Sequence, residues 1–236
     1  MTMALNPAER GNVLFMILGA IILLGLLTIA LRQSAQPGGS GIDSEKSSLA
    51  ATQVKAYGTE LENAVQLILR SGISESDLRF AHPDASADYG DITVQPSRQV
   101  FDPRGGAAAY RLPPDDVNDG SKWEFYGGTA LPSVGSARAD LIAVLPNVTQ
   151  GFCEKINALN GQTGQPADTG GSVAAGSSPG DCLNLGPLGR FDDGQQFYEP
   201  PNTTNEASFS SKPASEACVQ CATDGARHVY HVLLAR

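Results

Sequence analysis

Aromatic side chains, basic charge and histidine are all scarce in this 236-residue chain. Aromatics are 6% of the residues, with a single Trp, against 26 glycines and 15 prolines. Such a composition excludes a dense core along the whole length and predicts a loop-rich fold, one good-sized domain with appendages. Lys and Arg number 16 against 25 Asp and Glu, a formal charge of −9, and no basic stripe interrupts the acidic balance. Phosphate backbones are repelled by such a surface, so nucleic acid is excluded as a partner. The three histidines are His82, His228 and His231, and His82 adjoins Pro83 in an expected loop, so no catalytic triad assembles. G-x-S-x-G elbows, phosphate loops, dinucleotide fingerprints, H-E-x-x-H helices and internal repeats are all missing. The chain reads as a non-enzyme without a cofactor.

What is present begins at the front. Residues 13–31 (VLFMILGAIILLGLLTIAL) are nineteen in a row without a charge, fenced by Glu9-Arg10 and Arg32. As a helix they span about 28 Å, close to the hydrocarbon thickness of a bilayer. Thirteen are Val, Leu, Ile or Phe, which favours insertion by roughly 4 to 8 kcal/mol. A cleaved secretory signal has a shorter apolar region and a small-x-small site, whereas here Leu31, Arg32 and Gln33 fall where small residues belong. A soluble helix of this length would carry a polar stripe. The run predicts a retained transmembrane helix over 12–35, with the lipid bilayer as partner.

Glu9-Arg10-Gly11 directly ahead of this run resembles the class III leader of type IV pilins and type II secretion pseudopilins. The resemblance covers about twenty-five residues. It implies cleavage by a prepilin peptidase between Gly11 and Asn12, a helix that packs laterally on other pilin-like subunits, and a long helix laid on a small antiparallel sheet. The fifth position after the cut is Met16, where the family has Glu, and Asn12 replaces the usual Phe or Met. Loss of that Glu occurs in minor and tip subunits, so the resemblance points to a minor subunit. Asp102-Pro-x-Gly105 followed by Tyr110-Arg-x-Pro113 faintly resembles a stretch of major pseudopilins.

Residues 36–43 open with Gln36-Pro-Gly-Gly-Ser-Gly41 and read as a Gly/Pro linker, unlike the unbroken first helix of most pilins. From 44 to 70 the spacing of Val54, Tyr57, Leu61, Ala64 and Ile68 predicts an amphipathic helix whose stripe packs on the domain's own sheet. Short runs at 91–94, 108–112, 122–126, 140–145 and 228–234 predict strands, and their close spacing predicts antiparallel pairing. Thr149 is a candidate cap for a short helix to Leu159. Residues 161–181, rich in Gly and without a large apolar side chain, read as a long loop. The expected class is α+β, an extracytoplasmic domain over 44–236 behind a leader-like segment (1–11), a membrane helix and a linker.

Cys153, Cys182, Cys218 and Cys221 all lie beyond the membrane run, and an even count in an exported domain reads as two disulfides. Three connectivities are open. The preferred one joins 153 to 182, closing the Gly-rich loop with about 3 to 4 kcal/mol of chain-entropy stabilisation, and 218 to 221; a disulfide-bounded C-terminal region is also what the resemblance implies. Cys218-Val-Gln-Cys221 admits two sharper readings. A thiol-redox centre requires a helix N-terminus, and a strand follows instead. A zinc site of Cys218, Cys221, His228 and His231 has good donors, but along a strand the odd separation sends the two imidazoles to opposite faces. Asp115, Asp116, Asn118 and Asp119 are oxygen donors for calcium, yet aligning Gly120 puts Val117 where a ligand belongs.

The sequence therefore predicts a single-pass protein of the bacterial inner membrane with its acidic C-terminal domain in the periplasm or outside the cell, a minor pilin-like or pseudopilin-like structural subunit. The alternative is a membrane-tethered extracytoplasmic binding or thiol/metal module unrelated to pili.

Overall fold

The computed structural model describes residues 17, 21–22, 39–168, 182–185, 189–191, 196–222 and 224–236. The chain divides into two compact units, Met1–Lys46 and Ser47–Arg236. In the first unit, Ile17, Ile21 and Ile22 are helical and exposed. The expected leader (1–11, with Gly11 and Asn12) and nearly all of the apolar run at 13–31 lie outside the described residues.

Helix α1 spans Gly39–Arg70. It begins five residues ahead of the start that periodicity suggested, so 39–43 of the expected linker are helical. In the second unit its stripe of Val54, Tyr57, Leu61, Ala64 and Ile68 is buried as the 3.6-residue spacing requires. Arg70 sits in the last turn, favourable at the negative end of the helix dipole, and Gly72 at φ +90° follows as the chain turns away.

Six strands form one sheet: β1 (Glu124–Ala130), β2 (Asp140–Leu145), β3 (Ala167–Asp168), β4 (Asn202–Thr203), β5 (Glu216–Cys221) and β6 (Arg227–Leu234). Their order is β3-β5-β6-β2-β1-β4. The four long strands pair antiparallel, as expected. The two-residue edge strands do not: β4 runs parallel to β1 and β3 parallel to β5. Long connections deliver both edges, which lets them arrive in the same direction as their neighbours. β3 lies within the segment expected to be loop (161–181), so Ala167 and Asp168 extend the sheet after six residues that do not; 169–181 lie outside the described residues.

Strand alternation gives the sheet two buried faces. Phe125, Leu141, Ala143, Leu145, Cys218, Val229 and Leu233 point toward α1 and helix α2 (Gln150–Leu159). Tyr126, Ile142, Val144, Ala217, Val219, Cys221, Tyr230 and Val232 point the other way, beneath Leu131, Cys182, Leu183 and Phe209. The hydroxyl of Thr149 caps α2 by accepting the Phe152 N–H at 3.4 Å.

Two expected strands are absent. Residues 91–94 form turns and 108–112 are irregular. The stretch between α1 and β1 is held instead by aromatic anchors: Phe80 stacks on Phe125 at 4.1 Å, Phe101 and Tyr110 meet edge to face at 5.2 Å, and Tyr110 stacks on His82 at 4.5 Å. The Tyr89 hydroxyl donates to Glu124 at 2.6 Å and accepts the Phe125 N–H at 2.7 Å. Phe80, Tyr89, Phe101 and Tyr110 thus supply order where backbone pairing is sparse.

Gly58 brings α1 onto β6. A Cβ there would sit 2.6 Å from His231 Cγ, too close for any real contact. Helix propensity alone favours Gly58→Ala by about 1 kcal/mol, but overpacking against a ring fixed between α1 and the sheet costs about 1 to 3 kcal/mol. Gly58→Ala is expected to lower the thermal midpoint, read by circular dichroism; a raised midpoint would show that the close approach is dispensable.

Candidate functional site

The last third of the chain holds the residues with chemistry. All four cysteines are bridged, as expected, but in the connectivity that loop length did not favour: Cys153 pairs with Cys218 and Cys182 with Cys221. The Cα separations are 5.3 and 5.2 Å, ordinary for a bridge. The reason is strand parity. Cys218 and Cys221 lie three apart in β5, so their side chains leave on opposite faces and cannot meet. Cys218 reaches Cys153 on α2, and Cys221 reaches Cys182 on the other face. Taken singly, each closure constrains the unfolded chain by about 4 kcal/mol.

Asn157 reinforces the first bridge. Its side chain accepts the Cys218 N–H at 2.8 Å and donates to the Cys218 carbonyl at 2.8 Å, with a further bond to the Gly164 carbonyl at 3.0 Å. One amide on α2 thereby continues the hydrogen-bond ladder beyond β3, which pairs with β5 only at Gln220 and Cys221. Asn157→Ala leaves two buried backbone groups unpaired and is expected to cost about 3 kcal/mol; denaturant unfolding under non-reducing conditions measures it, and a loss below about 1 kcal/mol contradicts the assignment.

The two C-terminal histidines part as strand alternation requires. His231 faces α1, with Nδ1 3.1 Å from Glu216 Oε2 and Nε2 3.4 Å from Glu62 Oε2. Lys55 from the helix also reaches Glu216, at 3.2 Å. Glu216 is partly buried, and the desolvation alone would raise its pKa, but His231 and Lys55 together hold it below the usual carboxylate range. His228 faces the opposite side, where its Nδ1 accepts the Asn147 N–H at 3.2 Å. No metal was expected here, and the zinc set that the motif admits, Cys218, Cys221, His228 and His231, is split between two faces, as the odd separation of the two histidines along the strand requires, and cannot close on one ion.

A different trio does converge. Cys182, Cys221 and His228 are buried, with one donor atom of each within 4.8 Å of the others. Cys182 was visible in the sequence only as a bridge candidate; its place beside His228 depends on how the chain returns to the sheet between β2 and β5, which no local pattern encodes. An open groove of about 530 Å³ reaches this corner past Asn147, Leu185 and His228.

The acidic turn at 115–120 is used structurally. Asn118 donates to the carbonyls of Ser121 and Pro146 at 2.8 and 3.1 Å, and Asp119 accepts from Ser121 and from Asn147. Val117 at the mismatched position is buried in the core. His82 lies far along the chain in its aromatic stack, accepting the Asp84 N–H at 3.1 Å.

No family model, curated protein or solved structure matches the chain. Among the described residues no helix is long and apolar enough to cross a membrane.

Two buried titratable groups oppose each other in acid. Burial, partly offset by Asp224 and Asp119, lowers His228 to about 4. Burial, partly offset by the Arg236 and Leu131 N–H groups and the Arg236 charge, raises Asp140 to about 6. The depressed imidazole contributes stability above about 6.5 that is lost as pH falls toward 4; the raised carboxyl contributes stability below about 4 that is lost as pH rises through 6. His228→Gln removes only the first effect. Relative to the unmodified protein it is expected to gain stability on going from pH 6.5 to 4.5, read as the difference in thermal midpoints, and a pH-independent difference contradicts the assignment.

Proposed function

We propose that the chain is a non-enzymatic, membrane-anchored protein of the bacterial envelope, a minor subunit of the pilin or pseudopilin type that enters a pilus or secretion filament. The observation that carries this reading is Glu9-Arg10-Gly11 placed directly before nineteen uncharged, strongly apolar residues. In this reading residues 12–35 lie in the inner membrane, prepilin peptidase removes the leader after Gly11, and the helix packs against those of neighbouring subunits. Gly19 and Gly25 supply small residues for helix approach, although their six-residue spacing is not that of the close-contact pair motif.

The second unit is compatible with that role. An amphipathic helix lies on a mainly antiparallel sheet, and two bridges close its last third. Disulfides of this kind persist in oxidising compartments, which supports placing the domain in the periplasm or outside the cell. The exposed Ile17, Ile21 and Ile22 suit a surface that meets lipid or other apolar helices.

A second reading keeps the anchor but dispenses with the filament: a tethered thiol or metal module. The convergence of Cys182, Cys221 and His228 favours it.

N-terminal sequencing of the protein extracted from bacterial membranes separates the two. The subunit reading expects a start at Asn12, and the tethered module a start at Met1. A start near Ala35, or recovery of the intact chain in the soluble cytosolic fraction, overturns both.

A further inference from the structure

The Cys182–Cys221 bridge differs from its counterpart in having an imidazole beside it. We propose that Cys182, Cys221 and His228 form a site for one thiophilic cation, of the Zn²⁺ or Cu⁺ kind, in the reduced chain, and that the disulfide and the ion exclude one another. This stands apart from the filament reading, since it needs only residues on one face of the sheet.

The donor set comes first. Two thiolates and a neutral imidazole are soft, nitrogen-and-sulfur ligands that select zinc or cuprous ion over magnesium or calcium. The spacing follows. All three donors already lie within 4.8 Å of one another. Around an ion with sulfur at about 2.3 Å, two thiolates stand roughly 4 Å apart. Opening the bridge therefore lets the two sulfurs settle around an ion by side-chain rotation, one carried by β5 and the other by the turn at Cys182–Asn184.

Three separate segments hold the donors in place. Cys221 ends β5, His228 lies in β6 opposite Val219, and Cys182 enters from a turn over the same face. The β5–β6 ladder fixes two of the three positions without help from the bridge. The Asn147 N–H bond to His228 is given up whichever ring nitrogen ligates, because Nδ1 either binds the ion itself or carries the ring proton when Nε2 does, a small loss against three metal bonds. The groove that reaches His228 provides a route from solvent. Among the described residues no imidazole converges in the same way on the Cys153–Cys218 bridge of the opposite face.

The chemistry balances. A thiol reductant supplies two electrons and two protons, breaking the S–S bond to two thiols and leaving the reductant as its own disulfide. Binding the ion displaces the two thiol protons to solvent. A disulfide-forming oxidant then takes two electrons from the thiolates, remakes the bond and releases the ion.

Cobalt(II) titration of the full chain in detergent, reduced with a phosphine and followed by circular dichroism, tests this. The expected result is one cobalt per chain, near-ultraviolet charge transfer of two thiolates, and displacement by equimolar zinc. Cys182→Ser with Cys221→Ser abolishes the signal, and His228→Ala weakens cobalt binding by about tenfold or more. Cys153→Ser with Cys218→Ser retains the signal. Binding that survives loss of Cys182 and Cys221, or is indifferent to His228→Ala, overturns the proposal. Absence of binding overturns it as well, whether the reduced chain stays folded or unfolds, because the fold is what must present the donors once the bridge is gone.

Discussion

A β-strand turns successive side chains to opposite faces, and the six residues of β5 use that rule to carry two covalent anchors. Cys218 is tied to a helix on one side and Cys221 to a returning turn on the other. Neither bridge could form with its sulfur moved by one position. The sheet's two buried faces, the seating of α2 and the closure over the second face all rest on this parity. Asn157 adds a polar clamp on the same strand, satisfying the backbone of Cys218 where strand pairing stops.

The first face is completed by α1, whose approach is as close as the lack of a side chain at Gly58 permits. His231, Glu216, Lys55 and Glu62 surround that contact, so a buried apolar interface carries a polar seam along one edge. At the far corner Arg236 stacks over Phe197 at 3.7 Å and pairs with Glu75 at 3.0 Å, while its backbone N–H reaches the buried Asp140. These contacts join β2, β6 and the segment after α1 in regions with few apolar groups to bury.

Much of the regular structure was legible in the sequence. The helical stripe from Val54 to Ile68, the apolar runs at 140–145 and 228–234, and the Thr149 cap all carry a period or a capping residue that local physics fixes. The stretch from 71 to 123 was not, because its order comes from scattered rings such as Phe80, Phe101 and Tyr110 that meet only in three dimensions. β5 was hidden for another reason. Cys218-Val-Gln-Cys221 has the look of a redox or metal motif, and its strand character emerges only from pairing with β6. Bridge connectivity then followed wrongly, since parity speaks only once the strand is known. The same rule, applied to His228 and His231 in a strand that was recognised, separated them correctly. Cys182 joined His228 through tertiary return of the chain, beyond any local signal.

The two bridges interleave along the chain, 153 with 218 and 182 with 221. Any single peptide-bond cut between Cys153 and Cys221 leaves its two pieces joined by at least one intact cross-link. A protease that nicks this third of the molecule therefore releases nothing: the severed halves migrate together until a reductant parts them. A protein working outside the cell's own quality control would keep its shape through wounds that dismantle a chain with side-by-side loops.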